Sequence, residues 1–356
     1  MYVQSRITQS FTAGQDVRRR PRFRKTVLDA HGRHMERCAI VIGNGLGMAM
    51  DSHYFSLSTG LSAIWAGTSS FDEDQKQLVM SAIPGLSPTS PPQSEEQLDT
   101  LQVAIVAADF LKSFESTTVK WLSEGSRKLP QAFRRFVHEV GVYFYSSRKI
   151  LPEGFVSSLA QFVADTKSHV ATLNYDNLLY DAFVQAEVLN GYSGVLIDGF
   201  RRNGFDRINL YRRYVSRHGW YLHLHGSPLY IGNKKLMGDD RRQLKPTDKS
   251  HIVLSHVKHK PLIIESSSIL RAYWATFETA LCESHKVILF GYSGCDIHLN
   301  ETLCSRCRQK PIHIIEWRAG AESATRQQYW QDKLKNCSVT LHQMDNVLNF
   351  DAWGSL

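Results

Sequence analysis

The 356-residue sequence has no apolar run approaching the roughly 20 residues that span a bilayer, so it carries no signal for a membrane helix. Its first thirty residues lack the apolar core of a secretory leader. Cysteine is sparse: Cys38, Cys282, Cys295, Cys304, Cys307 and Cys337 sit in apolar or helical contexts. That usage argues against a disulfide framework and for reduced thiols in a cytoplasm. Cys304 and Cys307 form a single Cys-x-x-Cys pair, and a structural zinc ribbon needs two.

Strong charge is also missing from most of the chain. Residues 1–34 hold eight basic side chains against Asp16 and Asp29, which accounts for +6 of the net +8. The basicity belongs to a tail ahead of a folded part that begins at about Met35. The Arg18–Lys25 run is the one place where nucleic acid or an acidic partner would find a footing, and a disordered leader is the plainer reading. With 42% hydrophobic and 21% charged residues, the remainder reads as globular.

What is present is an α/β pattern. Cys38–Ile42 is a short β-prone run ending in glycines, suited to a buried parallel strand. Strand signals return at 168–174, 219–225, 261–264, 286–290 and 311–316, with helical patterns at 177–188, 268–284 and 297–308. This alternation predicts a Rossmann-like parallel sheet with helices on both faces. Residues 61–150 carry helix-period stretches, such as 98–114 and 133–145, and predict a helical insert after the first strand. Residues 199–216 and 231–250 read as exposed loops.

Ligands of such a sheet bind beyond the carboxyl ends of its strands, and four polar clusters fall there. Gly43-Asn44-Gly45 follows the first strand, where glycines allow close approach of a diphosphate and the next helix offers unpaired N–H groups. Asn174 and Asp176 follow the second run; the amide can hold a ribose hydroxyl or a water, and Asp176 is either a ribose ligand or a helix cap. His225, followed by a glycine, is placed as a base. His223, two residues earlier, reads as a packed strand histidine, and no third ligand has the spacing to make the pair a metal site. Gly291 and Ser293 offer a further phosphate or ribose contact, with Asp296 as a cap or ribose ligand.

In this order the clusters resemble the NAD-binding and catalytic motifs of the sirtuin superfamily over about residues 36–316. The wording Asn174-Tyr175-Asp176, His225-Gly226-Ser227 and Gly291-Tyr292-Ser293-x-x-Asp296 is similar to that of divergent prokaryotic sirtuin-like proteins, several of which degrade NAD in antiphage defence. The resemblance implies NAD as substrate and no metal. It matches Gly43, Asn44 and Gly45 to the NAD-cradling loop, Asn174 and Asp176 to the ribose-holding pair, His225 to the catalytic histidine, and Gly291 and Ser293 to the adenosine side. It further implies control by homo-oligomerisation or a regulatory protein partner. The single cysteine pair, and Asp51-Ser-His-Tyr in place of the Asp-Phe-Arg of deacylases, argue against protein deacylation. The expectation is an NAD glycohydrolase releasing nicotinamide and ADP-ribose; the alternative is a non-catalytic nucleotide-binding sensor or scaffold.

Overall fold

The computed structural model describes residues 27–28, 34–114, 123–191, 194–237, 244–318 and 323–356. The basic run 18–25 lies outside them. Seven strands form one sheet: β1 (Cys38–Ile42), β2 (His169–Thr172), β3 (Leu196–Ile197), β4 (Gly219–His223), β5 (Lys286–Phe290), β6 (Pro311–Trp317) and β7 (Ser338–Met344). Their spatial order is β7-β6-β5-β1-β2-β4-β3, and every pairing is parallel. The central strands are buried along their whole length, so they read as continuous apolar runs rather than alternating ones.

The stretch between β1 and β2 is helical: α1 (Gly45–Met50), α2 (Leu57–Gly67), α3 (Glu73–Ala82), α4 (Asp99–Lys112), α5 (Glu124–Tyr145) and α6 (Glu153–Thr166). The expected insert is therefore present, and α5 is its spine. Phe133, Phe136, Val137, Val140 and Phe144 of α5 recur at helical spacing and are buried, which packs α2, α3 and α4 around it. Beyond β2 come α7 (Leu178–Gln185), α8 (Lys260–Ser266), α9 (Ser268–Glu283), α10 (Ile297–Arg306) and α11 (Ser323–Lys333).

Two sequence readings change. The run at 261–264 is helix α8, not a strand: Pro261 takes the second helical position, in the first turn, where its missing N–H costs nothing. An apolar run that short carries no periodicity to tell the two apart. The segment 199–216 contains Arg212, which is buried against the Trp220 ring at 3.5 Å, so it is not wholly an exposed loop. Strand β7 carried no signal that was read, because it is half-buried at the sheet edge.

Candidate functional site

The chain leaves β1 toward β2 on one side, while β5 lies against the other side of β1. Connections that diverge from neighbouring strands open a crevice at their carboxyl ends, where doubly wound sheets take ligands. Loops 43–47 and 291–296 meet there. Their glycines serve this meeting: a Cβ on Gly43 would lie 2.6 Å from the Gly291 carbonyl oxygen, and one on Gly45 would lie 2.5 Å from the Gly291 Cα. The Gly43 and Gly45 N–H groups already donate to the Phe290 and Gly291 carbonyls, at 2.9 and 2.8 Å. The close approach expected of a diphosphate is in part made by the protein's own backbone, and those two donors are engaged.

Two cavities open at the crevice. One, of about 130 Å³, is lined by Phe55, Phe144, Tyr175, Asp176 and His225 among others. The other, of about 220 Å³, is lined by Gly43, Lys260, Gly291, Ser293, Asp296 and His225 among others. Asn44, Glu95, Leu173 and His225 line both, so the histidine stands on the wall they share. A larger cavity, of about 540 Å³, lies between α4, α5 and residues 248–270. It holds none of the expected site residues and is the poorer candidate despite its size.

His225 follows β4 and is held by its backbone, its carbonyl accepting from Val253 N at 2.9 Å. Gly226 turns the chain at φ +81°, with the His251 carbonyl occupying the space of a side chain, so only glycine fits after the histidine. The His225 Nε2 atom lies 2.9 Å from Asp296 Oδ2. Burial opposes the charge on Asp296, but His225, Lys260 and the Leu299 N–H outweigh it and hold the carboxyl well below its usual range. An ionised carboxylate only accepts, so the hydrogen of this contact sits on Nε2, and Nδ1 is the ring nitrogen that faces no carboxylate here. Asp296 is also the cap of α10, accepting from Leu299 N at 3.0 Å. Both readings of Asp296 made from sequence turned on a ligand or a cap; its cap role is present, and its free oxygen serves the histidine.

Asp176 is buried, accepts from Leu178 N at 3.0 Å, and borders the smaller cavity. Burial raises its carboxyl to about 6, against the backbone and Asn174 hydrogen bonds that lower it. Asn174 borders neither cavity. Its Nδ2 donates to the Gly43 carbonyl at 3.1 Å, bracing the glycine loop, and its buried Oδ1 has no hydrogen-bond partner. A buried acceptor without a partner is what a water or hydroxyl satisfies. Ser293 is exposed at the crevice mouth.

His223 does not reach the crevice. Its Nδ1 lies 3.3 Å from Tyr230 Oη, and burial, with Lys235 adding to it, pushes its pKa down to about 3. Sequence reasoning missed Glu95, Lys260 and the aromatic lining. Glu95 sits at the edge of a polar loop and Lys260 in a basic stretch, and nothing local distinguishes either. Among the described residues no cluster of three or more His, Cys, Asp or Glu has metal-site geometry. Cys307 is buried at the end of α10, and burial raises its thiol to about 12.

A seven-stranded parallel sheet with a polar crevice at its switch point defines a Rossmann-like α/β protein. Residues 168–335, a little under half of the chain, match the family model of the SIR2-like domain, and domains of this kind bind NAD. The match begins at β2 and takes in Asn174, Asp176, His225, Gly291, Ser293 and Asp296, whereas the glycine loop and the helical insert precede it. A search of curated proteins finds no match. No helix among the described residues is long and apolar enough to cross a membrane.

Proposed function

We propose that the chain is an NAD hydrolase that cleaves the bond between nicotinamide and ribose. The observation that carries this reading is His225, standing on the wall between the two cavities with its Nε2 tied to an ionised Asp296. That arrangement leaves Nδ1 as an acceptor for a proton. The aromatic cavity suits a planar heteroaromatic ring, with Asp176 beside it for ribose hydroxyls. The glycine-lined cavity, with Asn44 at its edge and Gly45 behind it, suits the diphosphate, and Ser293 and Gly291 the adenosine side.

Departure of nicotinamide takes the bond's electron pair and neutralises its ring charge, leaving an oxocarbenium-like ribose. Water adds to that carbon and its proton passes to His225. Asn174 offers Oδ1 to the water or to a ribose hydroxyl, after a side-chain shift that brings it into the cavity. A binder without turnover would have no use for a base.

An activity that drains a shared pool of NAD needs restraint in its own cell. Homo-oligomerisation or a regulatory partner is the form proposed for it, and antiphage defence in the cytoplasm is the setting the resemblance implies. The test is to incubate the purified protein with NAD, across oligomeric states and candidate activators, and to follow nicotinamide and ADP-ribose. Equal release of both is expected, and its loss in His225→Ala. NAD binding with no release under any condition would favour the sensor reading instead.

A further inference from the structure

Lys260, the first residue of α8, is buried although it carries a charge. Its Nζ lies 3.1 Å from Glu95 Oε2 and 3.3 Å from Asp296 Oδ2. The same Asp296 oxygen lies 2.9 Å from His225 Nε2. Four chain segments thus meet in one line: the loop ahead of α4 in the helical insert, the start of α8, the cap of α10, and the end of β4. Burial works against the Lys260 ammonium, but the two carboxylates raise its pKa overall.

The neighbouring residues extend this contact. Asp99, at the start of α4, accepts from His259 Nε2 at 2.6 Å, with His256 at 3.8 Å and Lys258 at 3.9 Å. The acidic beginning of α4 is therefore clasped to the basic stretch 256–260, directly at the crevice, since Glu95, Glu96, Val257 and Lys260 all line its cavity of about 220 Å³.

We propose that Glu95 and Lys260 are positioning residues, through which the helical insert fixes the orientation and tautomer of His225 by way of Asp296. This inference rests on His225 being the base of the proposed hydrolysis. The physical reason is the shared oxygen. Without the ammonium, Asp296 Oδ2 faces the imidazole alone in a buried site, and a lone buried carboxylate next to a histidine favours drawing a second proton onto the ring. A doubly protonated ring has no lone pair for catalysis. Glu95 in turn holds the ammonium toward Asp296 and ties that hold to the docking of the insert. Movement of the insert by an oligomer contact or partner would then reach the base with no ligand contact of its own.

The test uses the full-length protein with ¹⁵N-labelled histidine, the His225 signals being assigned by subtraction with His225→Gln. In the wild type Nε2 is protonated and Nδ1 is not. In Lys260→Met the His225 pattern moves toward the doubly protonated ring at the same pH, and Lys260→Arg restores it. In NAD turnover kcat falls about 10-fold or more in Lys260→Met, because the lost group orients the base. Glu95→Gln, whose side chain is 24% exposed, shifts both readouts in the same direction and carries the test if Lys260→Met does not fold. An unchanged His225 pattern in the folded variants would overturn the proposal. The spectral arm decides this even if the wild type shows no turnover, so the two readings fail separately.

Discussion

The two ends of the sheet each bury a charged cluster around a histidine, yet they do opposite things. At the amino end, Arg212 places Nη2 2.6 Å from both Glu283 oxygens, Arg37 adds a contact at 3.2 Å, and His169 Nε2 lies at 3.4 Å. His169 and the Arg212 guanidinium both stack on Trp220. The charges of this cluster pair with one another, although Arg212 Nε and His169 Nε2 make no hydrogen bond, and they hold the start of β1, β2, β4 and the end of α9 together. At the carboxyl end the charges sit beside cavities, one carboxylate is raised rather than lowered, and the Asn174 acceptor is left without a partner. Buried charge alone therefore does not mark a site. Adjoining space and a carboxyl moved toward neutrality do.

The largest effect expected from breaking this contrast is at the carboxyl end. His225→Ala should lower NAD turnover by about 100- to 10,000-fold, the range for loss of a general base, with thermal unfolding little altered. Asn174→Ala should act in the same direction, read by nicotinamide release. Next comes the amino end, where Arg212→Ala should cost about 3 kcal/mol of stability by stranding Glu283 and His169, measured by denaturant unfolding. Turnover per folded molecule should stay at the wild-type level.

A smaller effect separates the ends by sign. Asp176 has its carboxyl raised to about 6, so its folded form favours the proton; any stability this gives is present at low pH and lost as pH rises through about 6. Asp176→Asn should therefore raise the midpoint of unfolding above pH 6 while weakening NAD binding, and the gain should vanish in acid. Glu283 is the mirror case. Burial works against its charge, but His169 and Arg212 lower its pKa to about 2. Its contribution is present above the ordinary glutamate range and lost as pH falls toward about 2. His169, lowered to about 4 chiefly by burial, starts the loss earlier, below about 6.5. Glu283→Gln should flatten the acid limb of stability measured by chemical unfolding between pH 5 and 3.

Much of the contrast was legible in the sequence at the carboxyl end alone. The glycine loop, Asn174, Asp176, His225 and the 291–296 loop announce themselves because each follows a β-prone run within a few residues. The amino-end cluster was not legible: Arg37, His169, Arg212 and Glu283 are far apart in the chain, and no local pattern joins them. The same reason hid Glu95 and Lys260, which meet only after the insert docks. Even the glycines carried a double meaning, since Gly43 and Gly45 admit the 291 loop as well as facing the crevice. The strand reading at 261–264 failed because four apolar residues hold no period, and Pro261 begins a helix as readily as it bounds a strand.

Hydrogen exchange on the His225→Ala protein, with and without NAD, compares the two ends in a single measurement while leaving the nucleotide uncut. Added NAD should slow exchange in residues 43–47, 174–178, 225–227 and 291–296 and leave 212–220 and 281–285 unchanged. Protection confined to the amino-end segments, or none anywhere at saturating NAD, would contradict the assignment of the crevice as the NAD site.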